Sequence, residues 1–191
     1  MTAMYVGANY LTGQVPSELG LMSNMTLLHL YSNYLTGHIP SQLGLLTSGL
    51  YLAAFMNFLT GPIPRELGCL TNMKMLSLRN NSLSGPVPSE IGSMSDLTVL
   101  RFDVNALSGS LPSEIGSLTL LSTLDLSHNS LSGRIPSQLG SLLNGLEFGY
   151  LNVTGNNLLS GAIPNDLCSL RNFDFDCTDL LCGCTCLCDA D

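Results

Sequence analysis

Leu121-Ser-Thr-Leu-Asp-Leu-Ser-His-Asn-Ser-Leu-Ser-Gly-Arg-Ile-Pro136 decides the architecture of this 191-residue chain, because the chain writes the same stretch repeatedly. Its second half, Asn-x-Leu-(Ser/Thr)-Gly-x-(Ile/Val/Leu)-Pro, recurs as Asn9-Tyr-Leu-Thr-Gly-Gln-Val-Pro16 and at Asn33 to Pro40, Asn57 to Pro64, Asn81 to Pro88 and Asn105 to Pro112. A looser copy runs from Asn156 to Pro164. The asparagines at 9, 33, 57, 81, 105 and 129 are each 24 residues apart. A fixed period in this range marks a solenoid of stacked coils. Solenoids present a long repeated surface and usually work by binding rather than by chemistry in a buried pocket.

Each position of the repeat has a physical reading. Apolar residues stand five and three before the asparagine, as in Leu28 and Leu30, Leu76 and Leu78, Leu100 and Phe102, or Leu124 and Leu126. Alternation over so few residues fits a short strand with one face buried. A further leucine lies two after the asparagine, at 11, 35, 59, 83, 107 and 131. No coil can bury its apolar side alone, so these residues stack coil on coil. The asparagine leaves the strand at a sharp bend, where its amide satisfies backbone groups that would otherwise be buried without partners. Asn9, Asn33, Asn57, Asn81, Asn105, Asn129 and Asn156 therefore make a ladder. Gly at plus four allows backbone conformations closed to other residues. Pro at plus seven cannot donate a hydrogen bond and ends the extended stretch. The following Pro-Ser-(Glu/Gln)-(Leu/Ile)-Gly suits one short helical turn closed by glycine.

The string Leu-x-x-Leu-x-Leu-x-x-Asn-x-Leu-Ser-Gly-x-Ile-Pro resembles the plant-type leucine-rich repeat, over about residues 1 to 167. Members of that family include ectodomains of plant receptor kinases, polygalacturonase-inhibiting proteins, and secreted or tethered proteins of algae and diatoms. The resemblance implies an α/β fold, a curved right-handed solenoid. A parallel sheet would line the concave side, short second strands would follow the asparagine bend, and 3₁₀ turns would lie on the convex side. The first coil is partial, giving about seven.

Departures from the template mark expected irregularities. The coil before Asn57 has Ala54 where leucine is usual and Gly49 eight before the asparagine, so underpacking is expected there, with Leu50 and Leu52 to compensate. Extra residues before Asn156, with the turn signal Asn144-Gly145, place a small bulge within 143 to 149. In the first coil Met4, Val6, Leu11, Val15 and Leu19 are expected to lack cover on one side, and an exposed apolar end tends to be an interface or an aggregation hazard.

Residues 168–191 read as a cysteine-rich C-terminal cap. Cys168, Cys177, Cys182, Cys184, Cys186 and Cys188 fit disulfides, which an extracellular repeat family favours. The alternative is a thiolate metal site, although zinc usually takes Cys-x₂₋₄-Cys in paired halves. Six cysteines allow 15 pairings and the sequence does not choose among them. Bridges between near neighbours such as Cys182 and Cys184 would be strained, which points to Cys168 and Cys177 as recipients. Cys69 stands alone and is expected to be a free, partly buried thiol, with an intermolecular bridge as the alternative.

On a concave strand, outward residues lie six, four, two and one before each asparagine. They give an aromatic first half, Tyr5, Tyr31, Tyr51 and Phe55 together with His29. A charged second half follows, Arg79, Arg101, Asp103, Asp125 and His128. Tyr and Arg are favoured interface anchors. Asp125, Ser127 and His128 carry the letters of a catalytic triad, but they sit side by side on one strand, and a triad needs a chained geometry with an oxyanion hole. His29 and His128 lie four coils apart and cannot share a metal. No enzyme activity, cofactor or metal is expected. Sequons occur at Asn24, Asn80 and Asn152, the last two on the expected concave face.

Composition narrows the partners. Only 10% of residues are charged, so Ser, Thr, Asn and Gly must cover the surface. The formal net charge is −8, and Asp166, Asp174, Asp176, Asp179, Asp189 and Asp191 concentrate it at the end. The basic residues Arg65, Lys74, Arg79, Arg101, Arg134 and Arg171 are scattered, which excludes a nucleic-acid surface. No apolar stretch reaches the roughly 18 residues of a membrane span. No secretory signal precedes the first strand at Met4–Val6, so the chain reads as part of a longer or processed product. An anchor or further domains would lie outside these residues. The function expected is a non-catalytic recognition module, extracellular or at the cell surface, binding a protein, peptide or glycan on the concave face. Inhibition of a cell-wall hydrolase is the alternative. A structural or ice-binding array is a third reading, which the irregular outward residues count against.

Overall fold

The computed structural model describes residues 2–143, 149–164, 167, 173–174 and 180–181. Each coil contributes one strand to an eight-stranded parallel sheet, in chain order: Thr2–Tyr5, Met25–His29, Tyr51–Ala53, Met75–Ser77, Val99–Arg101, Thr123–Asp125, Tyr150–Asn152 and Phe173–Asp174. The register holds from coil to coil, pairing Met4 with Leu28, then Leu52, Leu76, Leu100, Leu124 and Leu151. A second parallel sheet forms after the asparagine bend, from Thr12–Gln14 through Tyr34–His38, Phe58–Gly61, Ser82–Gly85, Ala106–Ser110 and Ser130–Gly133 to Leu158–Leu159. The convex side carries 3₁₀ turns at Ser17–Leu21, Ser41–Leu45, Arg65–Cys69, Ser89–Ser93 and Ser113–Ser117.

The interior is one continuous apolar column. Leu76, Leu78, Leu83, Ile91, Leu100, Phe102, Leu107 and Ile115 are fully removed from solvent. Burial of each such side chain stabilises by about 1.5–3 kcal/mol. The asparagine ladder closes the polar side of the column. Asn129 Nδ2 donates to the carbonyls of Leu126 and Ser127 in its own coil and of Phe102 in the coil before, and its Oδ1 accepts from Leu107 N–H. Asn33, Asn57, Asn81, Asn105 and Asn156 repeat this pattern. Among the described residues, the Asn9 side chain bonds only to the Val6 and Gly7 carbonyls of its own coil and is exposed.

The two glycine rows serve different needs. At plus four, Gly37, Gly61, Gly85, Gly109 and Gly133 have φ between 74° and 78°, the left-handed region that glycine enters freely. At plus eleven the need is space. A Cβ on Gly44 would lie 2.3 Å from the Glu66 carbonyl oxygen, and one on Gly68 or Gly92 would meet Glu90 or Glu114 as closely. Glycine here sets how tightly the turns stack, a role beyond closing a helical turn.

Several expectations change. The sixth coil replaces its 3₁₀ turn with an α-helix, Gln138–Leu143. This coil is the longest, with 27 residues from Asn129 to Asn156, and the added chain gives the turn room to widen. The expected bulge falls on 143–149, of which 144–148 lie outside the described residues. In the coil expected to be underpacked, Ala54 and Leu52 are buried and the Met73 side chain of the next coil comes up against Gly49. In the first coil Val15 is buried against the second, Met4, Val6 and Leu19 are partly buried, and Leu11 is exposed. Cys69 is exposed rather than partly buried, because it ends the outer edge of a 3₁₀ turn. Cys168, Cys177, Cys182, Cys184, Cys186 and Cys188 lie outside the described residues. Among the described residues no helix is long and apolar enough to cross a membrane.

Candidate functional site

The strand register turns the outward residues into rows that cross the coils. One row, four before the asparagine, runs His29, Ala53, Ser77, Arg101, Asp125, Asn152. The row two before it runs Gly7, Tyr31, Phe55, Arg79, Asp103, Ser127, Thr154. In the first coils these rows hold a connected aromatic cluster. Tyr5 meets His29 edge-on at 5.1 Å, His29 lies 5.8 Å from Tyr31, and Tyr31 stacks on Phe55 at 4.8 Å with planes 5° apart. Gly7 makes room for this stack, since a Cβ there would lie 2.6 Å from the Tyr31 ring. Tyr51 flanks the cluster and is exposed.

The later coils differ from expectation. The sequence puts Asp103 and Asp125 among open outward positions, yet both are buried, at 7% and 8% exposure. Asp103 is covered by the long Arg79 side chain of the preceding coil, and Asp125 turns back onto Ser127 of its own coil. Asp125 Oδ1 accepts from Ser127 N–H and from Ser127 Oγ at 2.7 Å. Arg79 lies across Asp103, with Nε 3.4 Å from Oδ2. That is ion-pair distance without hydrogen-bond alignment: among the described residues, Arg79 Nε and Asp103 Oδ1 are both buried and have no hydrogen-bond partner. Burial, then the nearby Asp125 carboxylate, raises the Asp103 carboxyl above the usual aspartate range, against the lowering pull of Arg79, its own backbone and Arg101.

His128 is exposed on the bend, and its ring lies over Gly155 of the next coil, away from the centre of the face. Ser127 bonds straight to Asp125, so the three triad letters form no nucleophile–base chain. Among the described residues no group of three His, Cys, Asp or Glu could hold a metal ion. Of the sequons, Asn24 and Asn80 are exposed. Asn152 is half-buried and bonded to Thr154 and to Tyr150 Oη.

One feature escaped the sequence reading. Tyr10, Tyr34 and Phe58 each follow a ladder asparagine and form a second, lateral aromatic ladder, with ring centres 6.2 and 6.1 Å apart. A groove of about 340 Å³ runs beside it, bounded by Ser32, Tyr34, Met56, Phe58 and Asn80. The signal was present as an aromatic residue one after the asparagine in three consecutive copies.

The family model "Leucine Rich Repeat" matches residues 24–46, 72–94 and 120–142. The LRR ectodomain of the receptor kinase SOBIR1 from Arabidopsis thaliana is 30% identical, with a TM-score of 0.65 over 70% of this chain and 72% of that one. The chain belongs to the plant-type leucine-rich-repeat family. Two longer relatives extend the likeness. A TDR receptor is 34% identical with a TM-score of 0.87, covering 95% of this chain and 31% of that one. The Arabidopsis receptor kinase HAESA ectodomain, solved with an N-terminally extended IDA peptide hormone, is 32% identical with a TM-score of 0.76, covering 88% and 28%. This leucine-rich-repeat chain thus spans less than a third of the length of those two receptors. No curated protein matches the sequence.

Proposed function

We propose that this chain is a non-catalytic recognition module that takes an extended peptide along its concave face, outside the cell or at its surface. The observation that carries the reading is the connected cluster Tyr5, His29, Tyr31 and Phe55, held partly open on a preorganised sheet. Rigid aromatic side chains supply contact area at little entropic cost, and a preformed sheet loses little freedom on binding. The peptide hormone bound by the HAESA ectodomain supports the same ligand class. In this reading residues 1–167 are the binding array, and 168–191 close its end.

The test is panning of a displayed random-peptide library on the full chain, followed by titration calorimetry with the enriched peptides. Replacing Tyr31, Tyr51 and Phe55 together by Ala should weaken binding by about a hundredfold or more, since such anchors dominate interfaces. The circular dichroism spectrum should not change, because all three lie outside the apolar column. Failure to enrich any peptide overturns the reading. Retained affinity in the triple variant removes the site from this face.

A further inference from the structure

Two buried polar atoms without hydrogen bonds, side by side, need a reason. A buried donor or acceptor left unsatisfied costs about 1–3 kcal/mol, and native structures keep few of them. Here a donor, Arg79 Nε, and an acceptor, Asp103 Oδ1, are left together on the ligand-facing side of the sheet. They stand in the same row as Tyr31 and Phe55 and directly follow them. The Arg79 side chain is 40% exposed and the Asp103 side chain only 9%, so the guanidinium covers the carboxylate and is itself free to lift. Among the described residues, lifting it breaks a misaligned ion-pair contact and costs Nε no hydrogen bond.

We infer that Arg79 and Asp103 form a subsite for a neutral amide of the bound peptide, an Asn or Gln side chain, so that Asp103 Oδ1 accepts its N–H and Arg79 Nε donates to its carbonyl. This rests on the peptide-binding reading above and names the chemistry that the polar half of the same face selects. Charge decides for a neutral group. Arg79 and Arg101 balance Asp103 and Asp125, so the patch offers a cation or an anion little net attraction against its desolvation cost. A carboxamide carries one donor and one acceptor side by side on a planar group, which complements the pair. An apolar group would leave both atoms unpaired, and sites built to hydrogen-bond a ligand reject analogues that lack the bond. The position follows from sheet geometry. Neighbouring strands lie about 4.8 Å apart, so Asp103 is roughly 10 Å beyond Phe55, or about three residues of extended peptide. The amide residue should therefore follow or precede the residue seated on the Tyr31–Phe55 stack at that spacing.

The experiment uses peptides enriched from the displayed random library on the wild-type chain. The expected result is a consensus with an aromatic or large apolar residue and, about three positions away, Asn or Gln. Replacing that Asn or Gln by Leu in the synthetic peptide should weaken binding to the wild-type chain by about tenfold or more in calorimetry. Asp103→Ser places at this position the residue that the next coil carries as Ser127. It should bind both peptides equally, at the weaker level, with a thermal midpoint no lower than wild type. A residue that merely holds the fold would lose stability and keep the discrimination. The assignment is overturned if the enriched peptides carry no amide residue at that spacing, or if Asp103→Ser still distinguishes the two peptides. The peptide-side substitution tests the same point on unaltered protein should the variant fail to fold. Enrichment of peptides without that discrimination sinks this subsite alone; absence of any enriched peptide sinks the peptide reading beneath it.

Discussion

Coils carrying Tyr5, Tyr31 and Phe55 and coils carrying Arg79, Asp103 and Ser127 share one backbone. From the second coil onward, strand register, asparagine bonding and left-handed glycines are the same in both, yet the outward rows change from stacked rings to a balanced set of charges and hydroxyls. The lateral row changes at the same place, from Tyr10, Tyr34 and Phe58 to Ser82, Ala106 and Ser130. Repetition is enforced where coils must stack, because each inward residue meets its own equivalent in the next coil. Outward positions escape that demand and are free to differ. Under the proposed peptide-binding reading, recognition would rest on the difference between the halves, whereas stacking rests on their sameness.

The strongest challenge to that division is the ladder itself. Asn57 lies under the aromatic half and Asn129 under the polar half, and both are buried with four hydrogen bonds each. Replacing either by Ala strands a buried N–H and removes a donor from three carbonyls, which should cost about 2–4 kcal/mol in denaturant unfolding. The two costs should agree, because the frame beneath the halves is uniform. Asn9→Ala, exposed and bonded only within its own coil, should change stability by about 0.5 kcal/mol or less. Unequal costs at 57 and 129 would mean that the outward residues reach into the frame.

A pH series separates the halves by a smaller effect. The raised carboxyl of Asp103 means that the folded chain holds this proton more tightly than the unfolded chain. Its contribution to stability is then fully present below the ordinary aspartate range and is lost as pH rises through the raised value. Asp103→Asn cannot titrate there. Compared with wild type it should gain relative stability across that window and level off above it. The causes lie in burial and Asp125, opposed by Arg79 and Arg101, all in the polar half. Phe55→Ala should leave the pH dependence as it is in wild type. Parallel wild-type and Asp103→Asn curves across the window would show that the carboxyl is not perturbed.

Much of this was legible in the sequence, and the limits have a physical source. The period and the leucine positions dictate the apolar column, and the asparagine positions dictate the ladder, because each depends only on its own coil repeated. Counting back from the asparagine also found the outward rows, including the Tyr31–Phe55 neighbours. It could not find that Asp103 and Asp125 are buried, since that depends on how far Arg79 and Ser127 reach across from other residues. Nor does counting find the lateral ladder at Tyr10, Tyr34 and Phe58, because the position after the asparagine carries no repeated requirement and turns to Ser82, Ala106 and Ser130 in later coils. The left-handed row one before each asparagine was hidden for a different reason. Ala8, Ser32, Met56, Val104 and His128 are mostly not residues that favour such a conformation, and only the structure shows φ between 52° and 56° at all five.

That row supplies the finest test, at neighbouring coils within the polar half. Asn80 and Val104 occupy equivalent bends with φ of 51° and 56°. Asparagine tolerates the left-handed region, whereas a β-branched residue there is a true outlier, and the conformation costs an ordinary L-residue about 1–2 kcal/mol. The bend is held by the ladder and by backbone bonds, Val104 N–H to Ser127 and Asn105 N–H to His128, so the side chain does not choose it. Val104 is 42% exposed and gives up little burial when replaced. Val104→Asn should therefore raise stability by about 0.5–1 kcal/mol, read from the denaturant midpoint at unchanged slope, and Asn80→Val should lower it by a similar amount. A loss on Val104→Asn would mean that the valine side chain contributes packing at the rim of the face. The strain would then be offset by contact, and the outward rows could not be treated as independent of the frame that carries them.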